Sequence, residues 1–369
     1  MKFFDKLFAV DLGNNYLISG LNKELNIIYI YEYFISKKET ILVVINSLYE
    51  ADDIYNRLLC YTDKVLFFPM DDFIASEATL ISPELKIERL NTLNKLLDKD
   101  NYIVVTNLMG VLRYLPSREL YNEKVIKIAK NTEYDREILI SHLYDLGYEK
   151  VPIVTKTGEM AIRGYVIDIL PIDFENPIRI EFWGDTIDSI KYFDLESQMS
   201  NYETDKVSIY PFTEFLIDTE GVKEDQRKQK YLLNYSNDVG GIWNYFSSFT
   251  LFFYDYNQIV SSYNLLRETI ISYDNELNDK IKTNYMWDLS DIDIKNTIYI
   301  MDIDNLIDVK LRKKYNYLSF NIDNYCGNFE KIKLDIEKYL SQKKTIIFCL
   351  ENNNVAKRVI NYLDIMDNL

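Results

Sequence analysis

The sequence predicts an α/β protein: a parallel sheet flanked by helices, interrupted by an inserted, mainly β α+β segment and followed by the start of a further small α/β set. Three observations lead there. Ile41 to Ile45 is an unbroken apolar, largely β-branched run, as a strand buried on both faces requires, and helical patterns and similar runs follow it at short intervals. Between Ile178 and Trp183 apolar residues alternate with Arg179 and Glu181, the pattern of a strand buried on one face only. Beyond about residue 212 the continuous pattern returns, with Leu251 to Tyr254 reading as another buried strand.

The elements follow in order. After Ile41 to Ile45, Ser47 and Glu50 form a capping box, and Leu48, Ala51, Tyr55 and Leu58 recur at helical spacing. Val65 to Phe68 is a second strand. Ser82-Pro83 caps and starts a helix carrying Leu90, Leu93 and Leu97, and Tyr102 to Thr106 is a third strand. Strand, helix and strand at this spacing imply parallel pairing through crossovers.

From about Leu115 the pattern changes. Thr132 is placed to cap a helix with Ile138, Leu139, Leu143 and Leu146 on its apolar side, and Gly147 stands where a helix C-terminal glycine belongs. His142, the sequence's single histidine, lies on this helix with no Ser, Cys or carboxylate partner that would make it catalytic. Met160 to Leu170 reads as one strand ended by Pro171, with a bulge or close backbone approach at Gly164. The strand around Ile180 turns at Gly184-Asp185 into a second run through Ile190 and Tyr192, giving a hairpin. Near the C-terminus, Phe329, Ile332, Ile336 and Leu340 mark a helix, Thr345 to Leu350 a strand, and Val355, Val359 and Leu363 another helix.

Composition narrows the function classes. With 47% hydrophobic residues over 369, the chain can build two or three cores. Its net charge of -16, from 42 basic and 58 acidic residues, opposes broad binding to a phosphate backbone, which needs clustered Lys and Arg in excess. Cys60, Cys326 and Cys349 match no zinc or CxxC spacing and read as reduced, mostly buried residues of a cytoplasmic protein. The apolar stretch of MKFFDKLFAVDLGNN is too short and too broken by charge for a signal peptide, and no run long enough to span a bilayer occurs, so no membrane association is expected.

A parallel sheet often binds nucleotide at its first strand-to-helix turn, which here is GNNYLISGLNKE, Gly13 to Glu24. A phosphate loop needs G-x-x-x-x-G-K-[ST], with glycines for close backbone approach, Lys for the β/γ oxygens and Ser/Thr for magnesium. Gly20 is instead followed by Leu21-Asn22-Lys23-Glu24, so Lys23 is displaced and Glu24 repels phosphate. The site reads as degenerate, with no cofactor. At the end of the Leu251 to Tyr254 strand, Asp255 is followed by Tyr256. Asp255 is either the remnant of a magnesium-holding acid or a strand-end turn residue, and Tyr256 cannot orient a water.

The strings GYEKV, GEMAIRGYVIDILP and PIRIEFWGDTIDSIKYFD, between Gly147 and Asp194, carry a resemblance. They resemble domain 2 of the bacterial nucleotide-excision-repair protein UvrB and of the transcription-repair coupling factor (Mfd), a domain that in both docks UvrA. UvrB has a working phosphate loop and a longer insertion, a tyrosine-rich hairpin that enters damaged DNA, in the region where this chain reads FPMDDFIASEATLISPELKIERLNTL. That string resembles the coupling factor's short version of the region, and the resemblance implies neither feature. It implies a degenerate P-loop (RecA/helicase-like) domain in two parts, residues 1–115 and 214–324. Between them lies a UvrA-docking domain at 116–213, and the start of a further domain follows at 325–369. The chain then reads as a fragment of a longer protein.

The resemblance also implies a docking surface. Lys150 stands where a basic residue, usually Arg, follows the GYE-like turn, and Arg163 matches an arginine that pairs with acidic groups on UvrA. Arg179 and Glu181 match a charged pair on the neighbouring strand. Leu170 stands where the coupling factor often has Phe, and Ala161 where UvrB has a further Arg. RNA polymerase, double-stranded DNA, ATP and magnesium would engage domains beyond this chain, which itself would not be an enzyme. The competing expectations are a UvrB-type excinuclease subunit and an α/β scaffold with no repair partner.

Overall fold

The computed structural model describes residues 10–71, 82–217, 229–277, 283–292, 296–302, 307–320, 325, 327–346, 348, 350 and 352–363. The chain divides into two compact units, Met1–Leu318 and Ser319–Leu369.

The first unit begins β1 (Tyr16–Ser19), α1 (Lys23–Lys37), β2 (Thr40–Ile45), α2 (Leu48–Leu59), β3 (Val65–Phe68), α3 (Pro83–Leu96), β4 (Ile103–Asn107) and α4 (Leu108–Val111). A β-rich stretch follows: β5 (Leu115–Pro116), α5 (Arg118–Glu123), β6 (Ile126–Ala129), α6 (Arg136–Asp145), β7 (Glu149–Lys150), β8 (Glu159–Arg163), β9 (Val166–Ile169), β10 (Ile178–Trp183), β11 (Thr186–Phe193), β12 (Ser200–Glu203) and β13 (Lys206–Ile209). The unit ends with α7 (Leu232–Tyr235), β14 (Val239–Gly240), β15 (Phe249–Tyr254), α8 (Tyr256–Leu277), β16 (Thr297–Met301) and β17 (Lys313–Asn316).

The fold class is the one the sequence predicts. A seven-stranded sheet ordered β17-β1-β16-β15-β2-β4-β3 is parallel throughout, and its strands come from both sides of the insertion. All six residues of β2 are buried, because helices cover both faces. The insertion forms its own six-stranded sheet, β12-β11-β10-β9-β8-β7, beside a two-stranded pairing of β13 with β6. Ile178, Ile180 and Phe182 of β10 turn inward onto a core that includes Ile167, Ile169, Ile187 and Ile190. Each such side chain contributes about 1.5–3 kcal/mol on burial.

Several local expectations change. Met160 to Leu170 is not one strand but the hairpin β8/β9, with Arg163 opposite Val166. Gly164 takes φ 56° in its two-residue turn, the positive φ that such hairpin loops demand. Asp135, not Thr132, caps α6: its carboxylate accepts from the N–H groups of Glu137 (2.8 Å) and Ile138 (3.1 Å), while Thr132 donates to the Ala129 carbonyl. Ile138 faces solvent and Ile140 takes the buried position. The helix ends as expected, with Gly147 and Tyr148 donating back to Tyr144 and Leu143. Ser82 hydrogen-bonds the Glu84 side chain and caps no backbone group, leaving Pro83 to start α3. Cys60 is exposed rather than buried; Cys326 and Cys349 lie outside the described residues.

In the second unit α9 (Phe329–Ser341) and α10 (Asn353–Leu363) meet through Phe329 stacked on Tyr362, ring centres 4.4 Å apart. No strand forms among the described residues of 345–350.

A buried ion cluster ties the insertion to the parallel-sheet scaffold. Glu214, just past β13, accepts from Arg89 of α3 (2.7 and 3.1 Å) and from Arg113, just before β5 (2.9 and 2.6 Å). Arg89 also donates to the Pro69 carbonyl at 3.0 Å. All three charged side chains are buried. Burial alone would raise the Glu214 carboxyl, but the two guanidinium groups outweigh it and hold it at about 2.

Glu214→Gln leaves two buried guanidinium groups without their carboxylate and should destabilise the first unit by about 3–5 kcal/mol in denaturant unfolding. The pH dependence has a definite sign. A carboxyl depressed from 4.5 to about 2 in the fold adds stability that is complete above about pH 5 and is lost as the pH falls toward 2. The acid-side slope of stability should therefore be shallower in Glu214→Gln than in the parent.

Candidate functional site

The side of the six-stranded sheet turned away from the core is built around one carboxylate. Asp168, 1% exposed at the middle of β9, lies opposite Ala161 of β8 on one side and Arg179 of β10 on the other. Arg179 forks onto it, Nε to Oδ1 at 2.7 Å and Nη2 to Oδ2 at 3.0 Å, and its guanidinium lies 4.6 Å over the Phe193 ring. These contacts raise the Arg179 pKa, the Asp168 hydrogen bond most. Arg163, at the end of β8, reaches the same carboxylate with Nη2. One anion on β9 thus aligns two cations from the strands on either side of it.

The two arginines have different freedom. Arg179 is 17% exposed and committed to its internal partners, whereas Arg163 is 50% exposed. Glu181 sits one position along the same face and accepts from Ser189 Oγ (2.5 Å) and Lys191 Nζ (2.6 Å). Those hydrogen bonds, Lys191 first, lower its pKa. Of the expected site residues, the structure therefore brings Arg163, Arg179 and Glu181 onto one face. Lys150 is exposed on the short edge strand β7, paired in parallel with β8. Leu170 does not reach outward: it is 4% exposed and packs with Val154 and the fully buried Ala161, so it props the sheet instead of filling a partner's pocket.

Two exposed aromatics join this face at its far end. Trp183 closes β10 at 83% exposure, and Tyr165 in the β8/β9 turn is 66% exposed. The Phe182 N–H donates to the Tyr165 carbonyl at 2.9 Å, which fixes the two hairpin ends side by side. The alternation places Trp183 on the charged side of β10 but says nothing of Tyr165, whose position depends on a turn. Glu159 was also outside the sequence-based set. It holds the preceding loop by accepting from the Thr155 N–H (2.7 Å), Thr155 Oγ1 (2.9 Å) and the Lys156 N–H (3.0 Å).

The residues that the sequence assigns to a degenerate nucleotide site, Gly20, Lys23 and Asp255, lie at the C-terminal edge of the parallel sheet. Gly20, φ 77°, follows β1 directly beneath the Tyr317 carbonyl, so a side chain there would meet backbone. Tyr317 N–H donates to the Ser19 carbonyl at 2.8 Å. Lys23 pairs with Asp53 of α2, and Glu24 with Arg57. Asp255 ends β15, two strands from β1, and its carbonyl accepts from Gln258 and Ile259 in the first turn of α8. Asn26 Nδ2 bridges Tyr254 Oη (3.1 Å), the Leu21 carbonyl (3.3 Å) and Asp302 Oδ1 (3.4 Å) across the same edge.

The comparisons with known proteins fall on the sheet just described. Residues 126–215 match the family model of the UvrB interaction domain. Around it, the chain is similar over 98% of its length to the transcription-repair-coupling factor of Staphylococcus epidermidis, at 23% identity and covering 35% of that protein. Similarity to the protein of the same name from Staphylococcus haemolyticus is also 23%, over 99% of this chain and 35% of the relative. For Bacillus subtilis it is 31% over 54% of this chain and 17% of the relative. The chain spans about a third of the length of the curated relatives it matches most fully. Among the described residues, no helix is long and apolar enough to cross a membrane.

The unequal commitment of the two arginines gives a test of this sheet's geometry. Arg179→Ala strips the bidentate partner from a buried carboxylate and should cost roughly 3 kcal/mol in denaturant unfolding. Arg163→Ala removes a half-exposed pair and should cost less than about 1 kcal/mol.

Proposed function

We propose that this chain is a recruitment module: its UvrB interaction domain presents the outer face of the six-stranded sheet to UvrA, within a protein that links stalled RNA polymerase to nucleotide excision repair. The observation that carries this reading is the half-exposed Arg163, aligned by Asp168 on the face that ends in the exposed Trp183 and Tyr165. A cation held in one orientation loses little freedom when it meets an acidic partner, and flat aromatics beside it supply contact area at low entropic cost. Glu181 and Lys191, already paired on the same face, add charge pattern and so register rather than affinity.

The parallel-sheet scaffold serves as a frame with no ATP hydrolysis of its own. Three features support that part of the reading. Lys23 is engaged by Asp53, the Tyr317 backbone closes over Gly20, and Asn26, Tyr254 and Asp302 hydrogen-bond across the edge where phosphates would lie. Polymerase engagement and DNA translocation belong, on this reading, to parts of the protein outside this chain.

Titration of the full chain against purified UvrA tests the docking surface. Arg163→Ala and Trp183→Ala should each weaken binding by about 1–3 kcal/mol, roughly 5-fold to 150-fold, with less than about 1 kcal/mol lost in unfolding. Unaltered affinity in both variants removes this face from the interface. Calorimetric titration with Mg-ATP should show no saturable binding below about 1 mM, a dissociation constant equivalent to only about 4 kcal/mol. Micromolar binding would restore an enzymatic reading.

A further inference from the structure

The opposite side of the same sheet carries a second, separate feature at its β12 edge. Ile178, Tyr192 and Tyr202 form one cross-strand row over β10, β11 and β12. Tyr192 stacks on Tyr202 with ring centres 4.5 Å apart and on Phe174 at 5.9 Å. The row therefore continues the inner, core-facing side of the sheet out to its last strand. There it opens into a cleft of about 300 Å³ lined by Asp173, Phe174, Glu175, Asn176, Tyr192 and Tyr202. Asp173 accepts one hydrogen bond, from Asn94 Nδ2 at 2.6 Å. Glu175 forms no ion pair among the described residues. Burial raises the Asp173 carboxyl above its ordinary range, and the Asn94 hydrogen bond and Lys95 offset this only in part.

The backbone beside this cleft is unpaired on one side. β12 ends the strand order, and all four of its residues are exposed. Thr204 N–H donates to Ile190 of β11 at 2.9 Å, so by alternation Tyr202 also points its backbone groups toward β11. Glu203 then aims its backbone groups away from the sheet, while the register shift between Tyr192 and Phe193 leaves Asn201 as the extra residue of a bulge. A strand added to this edge antiparallel to β12 would bond Glu203. Its residue opposite Tyr202 would occupy a non-hydrogen-bonded position, where facing side chains come closest. That residue extends the row of Ile178, Tyr192 and Tyr202, which points it into the cleft.

We infer that the β12 edge is a second binding site, taking an extended segment of a partner protein by strand addition with an arginine side chain seated in the aromatic and acidic cleft. The chemistry selects the side chain. Two carboxylates favour a cation, and a flat guanidinium stacks on tyrosine or phenylalanine while forking to an acid, which an ammonium cannot do. Main-chain bonds supply affinity and the cleft supplies specificity, the division of labour usual in strand addition. The site faces the other way from Arg163 and Trp183, so it stands or falls independently of UvrA docking.

Two synthetic probes test it on the full, isotopically labelled chain by NMR titration: acetyl-Thr-Val-Arg-Val-Thr-amide and its citrulline counterpart, which keeps shape and loses charge. The arginine peptide should shift the Glu203 amide and the Tyr202 ring, and bind roughly tenfold more tightly than the citrulline peptide. Asp173→Asn with Glu175→Gln should erase that difference. Glu203→Pro removes the outward N–H at an edge position that tolerates proline, and should abolish the peptide-induced shift of the Tyr202 ring. Equal binding of the two peptides, or no shift along β12 at millimolar peptide in the parent chain, overturns the proposal.

Discussion

Glu214 is a point at which the inserted sheet is tied to the parallel-sheet scaffold. Arg113 stands immediately before the insertion, Glu214 immediately after it, and Arg89 of the scaffold helix meets the same Glu214 carboxylate. Both necks of the inserted sheet are thus tied to one helix by charge-assisted bonds in a site closed to water. An apolar trio of equal volume could be as stable, but it would not select one arrangement of the necks as sharply. The cost of an unpaired charge makes every displaced arrangement unfavourable, which holds the inserted sheet in a defined direction.

The same logic operates on a smaller scale within the inserted six-stranded sheet. Asp168 is buried in the middle of a face that otherwise looks outward, and it needs cations on both sides. Arg179 meets that demand from within the fold, braced on Phe193. Arg163 meets it from the rim and keeps half its surface in water. The arrangement separates two tasks that one arginine could not perform together, satisfying an internal anion and remaining available to a partner.

Much of this was readable from residues alone, and the limits have physical causes. β2 and β3 announce themselves because strands buried on both faces have no polar positions to blur the pattern. β10 is equally plain because one of its faces is wet. Gly164 was legible as a break but not as a turn, since a bulge and a two-residue hairpin loop both need a positive φ. Thr132 and Asp135 are both good capping residues before the same apolar stretch, and tertiary contacts chose between them. Leu170 could face a partner or the core until the register of β8 with β9 was fixed. Arg163 and Arg179 were identified on their strands, but their shared anion depends on pairing across three strands. The Arg89–Glu214 contact spans 125 residues, a separation over which local periodicity is silent.

Trp183 has a practical consequence. The chain has three tryptophans, and the other two, Trp243 and Trp287, pack edge to face with ring centres 6.0 Å apart, Trp287 also against Tyr114. Only the indole of Trp183 stands in bulk water, so a dissolved quencher such as iodide reaches that fluorophore selectively. Its emission is a built-in optical signal for whatever covers this end of the sheet, readable without attaching a dye.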